Sequence, residues 1–199
     1  MHARSLHLFT PVTLILLAAL VLSTAAFLGC NPFVEGYKYA TDVRETSVLA
    51  KDKEIANTIL ALYAKDDLAG ALDIDPTSYV GTVYLVGAYE TSAQKDRAIS
   101  LAKSVDGVRS VKTYLLPDAE IAGCSMADNF ALAKEVGTRL VADEDVHGYN
   151  IDVRAVQCNI VLLGLVSSQT EINRAISIAK NVDGVRKVTS YVRVYTPSN

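Results

Sequence analysis

The chain has 199 residues, a net charge of −3 and a pI near 5.6. That mild acidity excludes a general nucleic-acid binder, whose footprint is a basic surface. The length alone allows one domain or two.

Arg4 opens the chain beside two histidines, residues 14–22 are continuously apolar, and the small residues 23–26 lead to Phe27-Leu28-Gly29-Cys30. This is the charged, apolar, small-residue order of a secretory signal. The Gly29-Cys30 pair, followed by Asn31-Pro32, resembles the lipobox of bacterial lipoproteins, with Phe27 where leucine is usual. The resemblance implies a signal peptide over residues 1–29 and a mature chain beginning at an acylated Cys30. At about 0.8 kcal/mol per buried CH₂, several acyl chains make a stable anchor. The alternative is an uncleaved transmembrane helix over residues 11–28, which is long enough to be considered. Asn31 rather than aspartate after the cysteine points, by the sorting rule of some Gram-negative lineages, to the outer membrane, with the rest of the protein facing the periplasm.

Residues 31–51 show no sustained helical or strand period, so residues 30–51 are expected to be a lipidated cysteine and a flexible tether spanning tens of ångströms. Cys124 and Cys158 remain. An oxidising address permits a disulfide between them, but their spacing of 34 residues does not say whether the Cβ atoms meet, and two buried thiols are the other possibility.

Residues 97–109 read Arg-Ala-Ile-Ser-Leu-Ala-Lys-Ser-Val-Asp-Gly-Val-Arg, and residues 174–186 read Arg-Ala-Ile-Ser-Ile-Ala-Lys-Asn-Val-Asp-Gly-Val-Arg. The same offset of 77 maps Gly87 onto Gly164, Ile74 onto Ile151 and Ile55 onto Leu132 without a gap. A whole small domain is therefore duplicated, with repeat 1 over residues 52–116, a connector over 117–127 and repeat 2 over 128–196. Units of this size bury only about 60% of their unfolded surface, so docking of the repeats against each other is expected. Repeat 1 is acidic on balance and repeat 2 slightly basic, so the second is the one suited to an anionic surface.

Each unit opens with a helical stripe: Ile55, Ile59 and Leu62/Tyr63, matched by Leu132, Val136 and Leu140. Alternating strands follow at Leu72-Asp-Ile74 and Ile151-Asp-Val153-Arg-Ala155, the first containing Pro76, which cannot donate to a ladder and so predicts a free edge. Turns at residues 80–82 and 157–159 lead into second strands that end at Gly87 and Gly164. Thr91-x-x-Gln94 and Ser168-x-x-Glu171 read as capping boxes for second helices striped by Ala98, Ile99, Ala102, Val105 and by Ala175, Ile176, Ala179, Val182. The Asp-Gly pairs at Gly107 and Gly184 stop those helices, and third strands begin at Val108 and Val185. The fold class is α+β: two tandem α-β-β-α-β units, each with two helices on one face of a three-stranded mixed sheet.

This order, the glycine in the second strand and the Ala-x-x-x-Ala-x-x-Val-x-Gly-Val run, met twice in register, resemble a BON domain. Together with the lipobox and Ala40-Thr41-Asp42-Val43-Arg44, they make the chain similar to the dual-BON envelope lipoproteins of Gram-negative bacteria. The resemblance implies an envelope-maintenance role with phospholipid binding and without catalysis. It transfers no binding residues.

The residues themselves offer little chemistry. After signal removal one histidine remains, His147, so a His-clustered metal site is excluded. It follows Asp143-Glu144-Asp145 in what reads as a solvated acidic loop. Asp73 and Asp75 share the water side of their strand, and Asn150-Asp152 has lost one carboxylate of that pair. No phosphate-binding glycine motif occurs. Neither enzyme activity, cofactor nor metal is expected. A membrane face has more support: Phe130 lies about 200° from Leu132 around its helix and points outward, with Val141 returning to nearly the same angle and Lys134 close to the line. An aromatic beside a lysine suits the headgroup boundary, and Arg174, Lys180, Arg186 and Lys187 could extend the patch. The competing expectation is that Phe130 packs on the connector or on repeat 1. Two functions follow: a module that binds anionic phospholipid and supports envelope integrity, or an adaptor or osmotic-stress factor that docks an envelope protein.

Overall fold

The computed structural model describes residues 42–69, 73–118 and 124–196. The signal segment, Cys30 and most of the tether lie outside the described residues, as does Leu72. Repeat 1 comprises α1 (Thr46–Tyr63), β1 (Ile74–Tyr79), β2 (Thr82–Tyr89), α2 (Ser92–Ser104) and β3 (Ser110–Pro117). Repeat 2 comprises α3 (Met126–Ala142), a 3₁₀ turn (Gly148–Asn150), β4 (Ile151–Val156), β5 (Asn159–Val166), α4 (Gln169–Lys180), β6 (Lys187–Ser190) and β7 (Arg193–Val194). In both sheets the second strand is central, antiparallel to the first and parallel to the last. β1 is an edge strand, as Pro76 requires.

Strand alternation gives each sheet two apolar faces. On one face of β2, Val83 and Leu85 meet Ile55, Ile59 and Tyr63 of α1 and Ala98 and Ala102 of α2. The alanines let α2 lie close to the sheet, and the Tyr63 hydroxyl, carried into the core, donates to the Ala98 carbonyl at 2.9 Å. In repeat 2, Leu132, Val136 and Leu140 pack likewise on Ile160, Leu162, Ala175 and Ala179. The opposite faces join the repeats. Tyr79, Tyr84 and Val86 form one cluster with Val156, Val161, Leu163 and Leu165, so the docking expected from size is achieved sheet against sheet. Burying such a side chain is worth about 1.5–3 kcal/mol.

That docking corrects the placement of the strand carboxylates. The face of β1 opposite the helices meets repeat 2 rather than bulk water: Asp75 pairs with Arg154 at 2.7 Å, and the Tyr79 hydroxyl donates to Asp152 at 2.7 Å. Asp73 remains exposed.

Four local expectations also change. α1 begins at Thr46, inside the segment assigned to the tether, and α3 begins at Met126, inside the assigned connector. Gly87 and Gly164 lie within β2 and β5 instead of ending them. Both have positive φ, 155° and 152°, and a Cβ at either would collide with a backbone carbonyl, of Asp73 or Asn150. The Asp-Gly pairs do not cap the helices, which end at Ser104 and Lys180. They form the following β-turns, closed by Val108 N–H to the Val105 carbonyl and Val185 N–H to the Val182 carbonyl, each 3.2 Å. Finally, Thr91 and Gln94 make the full reciprocal box, whereas Glu171 turns away from Ser168. Its carboxylate accepts from the backbone N–H groups of His147 (2.8 Å) and Ser167 (3.2 Å) and lies 3.0 Å from His147 Nδ1.

Candidate functional site

α3 is amphipathic, with Leu132, Val136 and Leu140 inward. Ser125 caps it: the hydroxyl accepts from Asp128 N–H, and the Asp128 carboxylate accepts from Ser125 N–H at 2.7 Å. Those backbone and hydroxyl donors hold the Asp128 carboxyl below its ordinary range. On the outer side, Phe130 is 72% exposed, Met126 83% and Val141 40%, with Lys134 exposed among them. Phe130 therefore projects outward. Met126 joins it one turn earlier, which the sequence reading missed by placing that residue in the connector. The corresponding surface of α1 differs: the counterpart of Met126 is the buried Leu49, and those of Phe130, Lys134 and Val141 are Lys53, Asn57 and Ala64.

The four basic residues proposed to extend this face are divided by the fold. α4 runs back along α3, with Arg174 beside Asp143, the Asn181 carbonyl accepting from Arg139 Nη1, and Gly184 against Leu132. Arg174 thus sits at the far end of α3 and is paired with Asp143 at 2.8 Å. The arginine's hydrogen bonds hold the Asp143 carboxyl below its ordinary range. Repeat 1 has the same pair in Arg97 and Asp66. Arg186 and Lys187 lie nearer Phe130, because Arg186 N–H donates to the Cys158 carbonyl at 2.9 Å and Cys158 is bonded to Cys124, two residues before α3. Lys180 ends α4 and is exposed.

Cys124 and Cys158 form a disulfide with Cα atoms 5.9 Å apart. Cys158 and Gln157 adopt φ of 59° and 51° in the β4–β5 turn, and Val80 and Gly81 take 53° and 72° in the β1–β2 turn. Such conformations are sterically costly for residues other than glycine, and each turn is held from outside. In repeat 1, buried Asp52 accepts from Val80 N–H (2.7 Å), Gly81 N–H (2.9 Å), Ser78 hydroxyl (2.7 Å) and Arg44 Nη1 (2.7 Å). Arg44 also donates to Asp42 and lies over the Tyr79 ring, 4.9 Å from its centroid. Burial pushes the Asp42 carboxyl up, but its hydrogen bonds and charge pairing with Arg44 outweigh this and leave it below the ordinary range. Burial followed by the charge and hydrogen bond of Asp152 pushes the Tyr79 phenol well up. In repeat 2 the disulfide and Asn129 replace this network.

The acidic loop is occupied internally: Asp143 binds Arg174, and His147 meets Glu171. Among the described residues no three His, Cys, Asp or Glu side chains converge as metal ligands would, and no helix is long and apolar enough to cross a membrane. The assembled feature is an outward apolar strip on α3 flanked by lysine and arginine, on a helix tied covalently to its sheet.

The family model described as BON domain matches residues 51–116 and 128–195. The outer membrane lipoprotein DolP of Haemophilus influenzae is 30% identical over 85% of this chain and 91% of its own length. Osmotically-inducible protein Y of Escherichia coli is 31% identical over 77% of each chain. A type III secretion structural protein of Chlamydia trachomatis, CdsD, shows 16% identity over 74% of this chain and 64% of its own, with a TM-score of 0.31, a likeness too slight to bear on fold or role.

Proposed function

Because this chain belongs to the BON-domain family, we propose that it is an envelope protein, anchored through an acylated Cys30 and facing the periplasm, whose second repeat docks on anionic phospholipid and supports barrier integrity. The observation that carries this reading is the exposure of Phe130 and Met126 on the side of α3 opposite its core stripe. An aromatic and a thioether side by side, with Lys134 on the same side and Arg186 and Lys187 toward the same end, suit insertion at the boundary between headgroups and acyl chains. The corresponding face of repeat 1 has neither anchor. A relative that is named an outer membrane lipoprotein and is similar over most of both chains supports the address.

The test uses the chain without residues 1–30 and vesicles of phosphatidylglycerol or phosphatidylcholine. Binding is expected to favour the anionic vesicles and to weaken with salt as surface charge is screened. Phe130→Ala should alter stability by no more than about 0.5 kcal/mol, as exposed substitutions do, yet reduce cosedimentation several-fold. Unchanged binding by this variant at full stability would remove α3 as the membrane face and favour a protein partner instead.

A further inference from the structure

The duplication allows one place to be compared between the repeats. In repeat 2 the turn between β4 and β5 is bolted to the start of α3 by Cys124–Cys158. The same positions of repeat 1 hold Ser47 and Gly81. Between them is an open cleft of about 340 Å³, walled by Val48, Ile55 and Val80, with Lys51 and Arg109 at its sides. Its counterpart in repeat 2 is crossed by the disulfide, and Lys51 is replaced there by Asp128.

The charges in the cleft are unevenly engaged. Asp52, on the floor, already accepts four hydrogen bonds and is paired with Arg44. Lys51 lies 3.3 Å from Glu54 and 3.9 Å from Asp106. Arg109 has no ion pair among the described residues. Its N–H donates to the Gly81 carbonyl at 2.8 Å, and its stem lies where a side chain at position 81 would go, within 3.0–3.1 Å of a Cβ there. The missing side chain at Gly81 thus seats the arginine at the rim and leaves the cleft open.

We propose that this cleft binds a small apolar carboxylate. A guanidinium without an ion pair among the described residues offers a planar fork that a carboxylate matches with two parallel hydrogen bonds. With Lys51 shared between Glu54 and Asp106, Arg109 is the one cation lining the cleft without an ion pair among the described residues, which favours a monoanion over a phosphate dianion, and the valine and isoleucine walls take an apolar body. The volume is at the lower end of ligand pockets, enough for an aliphatic or aromatic group of side-chain size. A short free acid and the C-terminal residue of a peptide share this chemistry.

The experiment uses the full chain in phosphatidylcholine nanodiscs, titrated with hexanoate, with inorganic phosphate, and with a short valine-ending peptide carrying either a free or an amidated terminus. The readout is the amide NMR shifts of Gly81 and Gly107. Hexanoate should shift both glycines saturably. Arg109→Gln should weaken binding about tenfold or more, the loss of one charged hydrogen-bonding group. Its counterpart Arg186→Gln should change it by less than about twofold. Ser47→Cys with Gly81→Cys, which gives repeat 1 the disulfide of repeat 2, should abolish binding, because the Cβ at position 81 meets the Arg109 stem and the oxidised pair closes the cleft. Binding of the free-terminus peptide but not its amide marks a peptide terminus as the source, and hexanoate binding alone marks a free acid. No saturable shift with hexanoate or the free peptide, phosphate binding as tightly as hexanoate, or equal loss from Arg109→Gln and Arg186→Gln would overturn the proposal.

Discussion

Asp52 and Asn129 occupy the same position of the two repeats, 77 residues apart, and each accepts backbone N–H from its own hairpin turn: Val80 and Gly81 on Asp52, Cys158 on Asn129 at 2.8 Å. A carboxylate holds two N–H groups with two oxygens, while an amide has one acceptor. The second repeat makes up the difference with a disulfide. Asp52 is 3% exposed and its partner Arg44 7%, so Asp52→Ala removes one of the two carboxylates on a buried cation and strands three further donors. Breaking such a pair costs about 3–5 kcal/mol. Asp42, still bound to Arg44, places the expected loss at about 3 kcal/mol by the same scale. Asp52→Asn, which keeps one acceptor, should lose less. Urea unfolding of the three proteins checks the order.

The disulfide closes a loop of 34 residues, for which the chain-entropy estimate is about 3–4 kcal/mol. Cys124→Ser with Cys158→Ser is expected to lower the stability of repeat 2 by that amount, and a reductant should do the same to the natural chain. Because Cys124 lies just before the Ser125 cap, hydrogen exchange at Met126–Phe130 should rise first. A midpoint insensitive to reductant would show that Asn129 and the core hold the turn unaided.

The core stripes were legible in the sequence because both helices and both central strands keep one apolar period through the duplication. Ile55 and Leu132, or Val83 and Ile160, carry the same burial in each copy. The start of α1 was not, because the residue one turn before Ile55 is Asp52, a carboxylate at a core position that breaks the stripe. Its meaning depends on Arg44 and on a hairpin 28 residues away. The interface was hidden for a related reason: Asp75, Arg154 and Asp152 read as solvated charges until the sheets face each other. Phe130 could be placed outward by angle alone. Met126 could not, since recognising it required the Ser125-x-x-Asp128 cap, in which aspartate stands where glutamate or glutamine is usual.

Acid should loosen the Arg44 network. The Asp42 carboxyl, raised by burial but lowered further by Arg44, titrates below its ordinary value near 3.8 in the fold. Its contribution is therefore present above about pH 4 and lost as the pH falls through the folded value. Asp66, Asp128 and Asp143 are lowered as well, so the whole protein should lose stability on this acid limb. Asp42→Asn should flatten the limb below about pH 4 and leave the neutral plateau lower. Thermal midpoints from neutral to acidic pH, compared between the two proteins, provide the check. An acid limb of unchanged steepness in the variant would assign the loss to Asp66, Asp128 and Asp143 instead.

The sheet-to-sheet contact should make the two repeats unfold together. Its centre is apolar, with Tyr84 1% and Leu163 0% exposed. Its rim carries hydrogen bonds from Tyr79 to Asp152, Gln157 to the Pro117 carbonyl, Tyr191 to the Thr113 carbonyl and Arg193 to the Tyr79 carbonyl. A rim bond is worth about 0.5–1.5 kcal/mol, so Tyr191→Phe should shift the midpoint slightly and leave one transition. Leu163→Asp places a carboxylate in the apolar cluster that Leu163 shares with Tyr84 and Val86 of repeat 1. A buried carboxylate there is relieved most easily by separating the sheets, since the helix-side core of repeat 2 uses Ile160 and Leu162 instead. The natural chain is expected to melt in a single calorimetric step. Leu163→Asp should melt in two, with helix content nearly retained before the first and a larger radius in solution scattering. A single step at much lower temperature, with no expansion before it, would show that repeat 2 unfolds outright and that docking is not the separable element.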